Sequence, residues 1–291
     1  MMDRIIFGDN QFFGINHMSE EKAQALSEKF RDLKAITNVI DAAYDCGIHA
    51  FMLNTNERAK EICDHLRSQS SLYNDLRLYP SMPYAHKYAG LVAEKGIFGA
   101  VKEVIISDNR AGTILGILTR GSQLFFTRDM TKVMELLIDA EMKVFRGLDV
   151  KVIFLQNIVT DLLLGYQVKD VFIAFVSYIK EKYGVEAGFV TMNLPGLVNF
   201  LLECGIENPI VCSSINKIGH LMNPDKEIYE KAISEKKFRP IAMSIFGSGS
   251  VKPKEAVEYV CRQPNIKSIV FGASSREHIE ETKQLIESSF G

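Results

Sequence analysis

Short apolar runs, rich in β-branched and aromatic residues, alternate along this chain with longer stretches of helical periodicity. The runs fall at Arg4–Asp9, His49–Leu53, Leu76–Ser81, Lys151–Gln156, Ala187–Met192 and Pro209–Ser214, with a seventh inside Arg239–Ser250 and an eighth inside Ser268–Thr282. Within a run the apolar positions are continuous, which predicts parallel strands buried on both faces rather than half-exposed antiparallel ones. Between the first two runs the pattern predicts a helix around Ile36–Cys46, ended by Gly47 as a left-handed cap. Eight strands in alternation with helices predict an α/β protein, a (β/α)8 TIM barrel forming one domain over residues 1–291. A doubly wound open sheet is the main competitor. It would place a glycine fingerprint after the first strand, and "FGDNQFFG" is not GxGxxG.

One spacing breaks the rhythm. From Pro83 to Asp149 the chain is far longer than one connecting helix needs, and "GIFGAVKEVIIS", "AGTILGILTRG" and "MTKVMELLIDAEMKVF" read as several helices. We read residues 90–147, in round numbers, as a helical insertion after strand three. It is either extra packing outside the barrel, or a lid or homo-oligomer interface on the face where barrel loops shape active sites.

Composition narrows the classes. Hydrophobic residues make up 47% and charged residues 24% of 291, with a net charge of −2, which fits an ordinary globule. No basic stripe argues for nucleic acid, and no polybasic or bilayer-length apolar segment argues for a membrane. The start "MMDRIIFGDNQ" lacks a signal-peptide core. Five cysteines without a CxxC pair read as reduced thiols of a cytoplasmic protein, and neither they nor the six histidines fall at metal-ligand spacing, so no metal site is expected.

The last fifth carries the strongest local signal. "RPIAMSIFGSGS" and "SIVFGASSREHIEET" are both apolar runs ending in small residues before a helical segment. Glycine lets backbone N–H groups approach a ligand, and a helix start presents unpaired donors. In a (β/α)8 barrel the loops after strands seven and eight are the usual phosphate site. Gly247–Ser250 and Gly272–Ser275 are therefore the candidate anion cradle.

These segments resemble the aldo-keto reductase superfamily. "SIVFGASSREHIEETKQLI" is similar to its last strand and helix, and "PIAMSIFGSGS" to its seventh strand and the loop over the cofactor pyrophosphate. "NVIDAAYDCGIHAFML" and "FVTMNLPGLVNFLLECG" resemble its first helix with second strand and its fifth strand with the following helix. The resemblance implies NADPH or NADH as cofactor, held by Ser244, Gly247, Ser248, Gly249, Gly272, Ala273, Ser274, Ser275, His278 and Glu281. Of the nucleotide positions at His278, Glu281 and Thr282, only Glu281 keeps the family's residue type. The family's catalytic aspartate position falls at Met52, its tyrosine near Asn56 or Glu57, its lysine at Ser81 or Met82 and its histidine at Gln156. Its nicotinamide-stacking tyrosine falls at Met243. All four catalytic positions are changed, and methionine can neither donate a proton nor polarise a carbonyl.

Other strand ends offer replacements. After strand one, "GDNQFFGINH" supplies Asp9 or His17 as a general base and Asn10 or Gln11 as a substrate-orienting amide, against a plain polar turn. Asn54 is a substrate contact, or caps the next helix with Glu57. Tyr84, His86 and Lys87 follow strand three, and Gln156, Asn157 and Asp161 follow strand four. Thr191 and Asn193 end strand five, while Ser213, Ser214, Asn216 and Lys217 end strand six. Lys217 reads as a solvated loop lysine rather than a Schiff-base former, and Met52, Met82, Met192 and Met243 as core or lining.

This ring of amides and hydroxyls suits a small neutral substrate. The leading expectation is an enzyme binding a phosphate-bearing ligand, either NAD(P)H or a phosphorylated metabolite, with Asp9, His17 and Gln156 as catalytic candidates. The alternatives are a lyase or isomerase using Asp9 and His17, and a non-catalytic degenerate reductase that senses or scaffolds.

Overall fold

The computed structural model describes residues 2–14, 20–84 and 128–290. Each of the eight runs forms a parallel strand: β1 Ile5–Phe7, β2 Ala50–Asn54, β3 Arg77–Met82, β4 Val152–Leu155, β5 Glu186–Thr191, β6 Ile210–Ser214, β7 Arg239–Met243 and β8 Ser268–Phe271. They pair in sequence order, and β1 pairs β8 through Ile5–Ile269, Ile6–Val270 and Phe7–Phe271, closing the expected barrel. The helices among the described residues are α1 Glu20–Lys29, α2 Leu33–Asp45, α3 Ala59–Ser68, α4 Arg128–Met142, α5 Asn157–Gly165, α6 Lys169–Tyr178, α7 Leu194–Glu203, α8 Lys226–Glu235, α9 Pro253–Arg262 and α10 Arg276–Ser289.

Local chemistry explains the boundaries. Asp32 caps α2 by accepting from the Lys34 N–H at 3.0 Å, and Gly47 beyond its end adopts φ +80°, as the sequence predicts. α4 forms where "MTKVMELLIDAEMKVF" predicts a helix. Residues 90–127 of the insertion, together with Asn16, His17, His86 and Lys87, lie outside the described residues, and so do the lid and interface readings of that insertion.

Period-two alternation sends each strand's side chains to two different cores. Ile6, Ala50, Met52, Tyr79, Val152, Phe154, Val190, Ile210, Cys212, Ile241 and Val270 fill the barrel interior. Phe7, Phe51, Leu53, Leu78, Ile153, Leu155, Phe189, Val211, Ala242, Ile269 and Phe271 pack outward under the helices. Both faces are dry, which is why the runs read as continuous.

The two ends of the barrel differ. At the N-terminal end, Arg77 pairs with Asp3 and Arg239 with Glu186, each at 2.7 Å. At the C-terminal end the next inward positions are uncharged and buried: Ser81, Gln156 and Ser214. All five cysteines are free; Cys63 and Cys212 are buried, and burial pushes both thiols up to about 12. No helix among the described residues is long and apolar enough to cross a membrane.

Gly188 marks a tight point of the interior. A Cβ there would lie 2.4 Å from Cε1 of the Phe154 ring, which fills the barrel beside it. Gly188→Ala should lower the unfolding free energy by about 1–3 kcal/mol through overpacking, read as a shifted denaturant midpoint with an unchanged slope. An unshifted midpoint would show that the ring has room to move.

Candidate active site at the C-terminal mouth of the barrel

Asp9 is the buried charge at the mouth. β1 ends at Phe7, Gly8 donates its N–H to the Phe271 carbonyl at 2.8 Å, and Asp9 then points its side chain sideways to β2. The Asn54 backbone N–H donates to Asp9 Oδ2 and the Asn54 amide to Oδ1, both at 2.8 Å. Asp9 is 2% exposed. Burial pushes its carboxyl up to about 6, against the pull of the Asn54 hydrogen bonds.

Half-buried Tyr84, two residues beyond β3, shares this neighbourhood. Burial raises its phenol first, and the negative charges of Asp9 and Glu57 raise it further. The phenol therefore stays protonated at neutral pH.

The expectation that Asn54 caps the following helix is corrected by this geometry. Its amide is committed to Asp9, and the turn into α3 is held by Asn56, whose Oδ1 accepts from the Arg58 N–H at 2.9 Å. Next in the chain, buried Thr55 donates its hydroxyl to the buried carboxyl of Glu141 on α4. The sequence reading does not reach Glu141, because α4 comes from a segment with no barrel rhythm of its own.

Other candidates take structural posts. Asn10 opens a short 3-10 turn, Asn10–Phe13, and is exposed. Gln11 folds inward, its amide donating to the Gly8 carbonyl at 2.7 Å, while its buried Oε1 has no partner. That oxygen lies against Gly272, where an added Cβ would meet it at 2.0 Å. The missing side chain of Gly272 thus makes room for Gln11.

Buried Gln156 caps the β4 end, its N–H donating to the Met82 carbonyl at 3.1 Å. Asp161 accepts from the Thr191 hydroxyl and, at 2.9 Å, from the Met192 N–H, with burial raising its carboxyl. Asn193 caps α7 through the Gly196 N–H at 3.1 Å. Lys217 is exposed and paired with Glu255 at 2.6 Å, as a solvated loop lysine would be.

The loop after β7 carries unusual backbone. Ser244, Gly247, Ser248 and Gly249 all adopt positive φ, from +53° to +88°. A serine pays for that conformation, whereas glycine does not. Across the mouth, Ser275 caps α10 by accepting from the His278 N–H at 3.4 Å. Lys29 at the end of α1 donates to the Ser274 carbonyl at 2.7 Å. Ala273 and Ser274 are half-buried beside it, and His278 and Glu281 are exposed on α10. Lys29 escapes a sequence reading because the contact spans 245 positions. Among the described residues no cluster of histidine, cysteine and carboxylate side chains could hold a metal.

No protein-family model matches the chain, and no curated protein matches it in sequence. Solved structures do. PA4992 of Pseudomonas aeruginosa, assigned to the aldo-keto reductases, aligns over 99% of this chain and 91% of its own, with a TM-score of 0.62 and 12% identity. An aldo/keto reductase from Brucella melitensis gives a TM-score of 0.56 at 11% identity over 98% of this chain and 87% of its own. A silkworm (Bombyx mori) aldo-keto reductase gives 0.55 at 10% identity over 99% and 83%. The chain has the (β/α)8 fold of the aldo-keto reductases.

Asp9 should titrate visibly. Its carboxyl carbon resonance, identified by its loss in Asp9→Asn, should move with a midpoint near pH 6. Asn54→Ala removes an opposing donor and should move that midpoint higher. A folded-state pKa above the unfolded value means stability that is present in acid and lost as pH rises through about 6, a change of about 3 kcal/mol. A midpoint near 4 would mean that water reaches the carboxyl.

Proposed function

We propose that the protein is an enzyme acting on a small carbonyl- or hydroxyl-bearing molecule, with Asp9 as its proton carrier and a phosphate-bearing ligand held by the loops after β7 and β8. The observation that carries this reading is the buried, Asn54-held carboxyl of Asp9 at the barrel mouth, titrating close to neutrality. A general acid or base works best with a pKa near the operating pH, because both protonation states are then accessible. Above pH 6 Asp9 accepts a proton from the substrate, and the protonated fraction returns one. Asn54 fixes both oxygens, so the carboxyl arrives oriented. Tyr84, kept protonated by burial and by the two nearby carboxylates, donates a hydrogen bond to the substrate oxygen on which charge develops.

A nicotinamide dinucleotide is one candidate for the phosphate-bearing ligand, and the described residues fit such a group in part. The start of α10 offers backbone donors, whereas the Gly247, Gly249 and Ser250 N–H groups after β7 are taken up within their own loop, and half-buried Met243 offers an apolar surface at the position where the family places an aromatic ring. Gln11, seated against Gly272, leaves a buried acceptor that a ligand amide or hydroxyl would satisfy. When bound, the nicotinamide supplies a hydride; orientation, exclusion of water and the proton at Asp9 fall to this chain.

The loss of the family's catalytic positions at Met52, Met82 and Gln156 favours a second reading. In it the same Asp9 moves a proton on a phosphorylated metabolite, as a lyase or isomerase, with no hydride donor.

Two measurements separate these readings. Titration of NADPH and NADH, followed by fluorescence or calorimetry, should give saturable binding for the reductase; no binding at millimolar cofactor removes it and leaves the lyase or isomerase. An unbiased metabolite co-purification supplies the substrate for the second measurement. Asp9→Asn should then cut turnover at least about 100-fold while ligand affinity stays measurable. Wild-type turnover in that variant would sink both readings.

A further inference from the structure

The loops after β6 and β7 are clasped together by a polar arrangement that the proposed chemistry at Asp9 does not use. Asn216, fully buried at the end of β6, grips His220 by its backbone. Its Oδ1 accepts from the His220 N–H and its amide donates to the His220 carbonyl, both at 2.8 Å. This reciprocal pair closes 216–220 into a loop and pins the His220 backbone. His220 Nε2 lies 3.3 Å from Ser248 Oγ.

Two further contacts lock the loop onto its neighbours. Ile218 packs where Gly247 has no side chain, since an added Cβ would lie 2.8 Å from Ile218 Cδ1. Lys217 pairs with Glu255 in the first turn of α9. Ser248 sits at φ +56° between two left-handed glycines, so its hydroxyl is held against the histidine in a backbone conformation that serine disfavours.

We infer that the loop after β6 completes the anion site, with His220 Nε2 and Ser248 Oγ as paired donors to one phosphate oxygen of the ligand. This rests on the phosphate-bearing ligand proposed above and names a residue outside the two glycine loops that hold it. As it stands the ring nitrogen and the hydroxyl make one long hydrogen bond, in which either can be the donor depending on the imidazole tautomer. An anionic oxygen placed against both atoms accepts from the hydroxyl and from Nε2–H in the tautomer that carries its proton there. The resulting charge-assisted bonds are shorter and stronger than the one they replace. Half-burial of His220 and Ser248 leaves the pair open to a ligand while shielding it from bulk water.

Inorganic pyrophosphate titrated into the full chain tests this, followed by calorimetry and by the imidazole resonances of His220, which are identified by their loss in His220→Gln. The expected result is a saturable shift of those resonances, with affinity reduced about tenfold or more in His220→Gln and in Ser248→Ala. Lys217→Ala, which loosens the same loop without touching the donors, should hold affinity within about threefold, the scale of one exposed ion pair. If wild-type protein binds pyrophosphate and both donor variants bind it equally well, His220 is not a ligand, while the proposed phosphate site survives. If wild-type protein does not bind pyrophosphate, the phosphate reading and this inference fall together.

Discussion

Closure of the barrel through β1 is the constraint on which the site depends. β1 is only three residues long, yet it pairs β2 on one side and β8 on the other. Because the strand stops at Phe7, the next few residues are released at the mouth between two neighbours. Asp9 turns to β2 and is held by Asn54, and Gln11 turns to β8 and settles on Gly272. The second contact would not exist in an open sheet, where β1 and β8 would be separate edges, whereas the first needs only the β1–β2 pairing. Closure also buries Asp9, and it is burial that brings its carboxyl towards neutrality.

The same geometry separates stability from chemistry. Ion pairs gather at the N-terminal end, where Arg77–Asp3 and Arg239–Glu186 face solvent in part. The C-terminal end keeps amides and hydroxyls together with the buried carboxyls of Asp9 and Glu141, and with Asp161 behind the β5 end. The interior between the two ends is packed solid, as Phe154 over Gly188 illustrates, so no ligand passes through and all chemistry belongs to the loops.

Much of the fold was legible because burial on both strand faces writes itself into sequence as continuous apolar runs. The Gly47 cap was an equally local signal. The candidate site was legible in part. Asp9, Asn54 and Tyr84 could be placed at the mouth because strand ends can be located, but the Asp9–Asn54 contact could not be read, since the two are 45 positions apart. Asn54 followed by Glu57 mimics a helix cap, and only the pairing of β1 with β2 brings a carboxylate that outcompetes that role. His220, Lys29 and Glu141 left no motif: each acts through a contact between segments distant in sequence, and Glu141 comes from a helix beyond the regular repeat.

A shared barrel at 10–12% identity carries the architecture of the aldo-keto reductases and no more, so the account rests on what the mouth itself offers. The most direct test is a crystal structure of the protein with the metabolite that co-purifies with it, or with NADPH. The account predicts the ligand phosphate between the loops after β7 and β8, with the reacting atom about 3 Å from an Asp9 carboxyl oxygen. A ligand bound at the mouth but remote from Asp9, with that carboxyl still enclosed by Asn54, would contradict it.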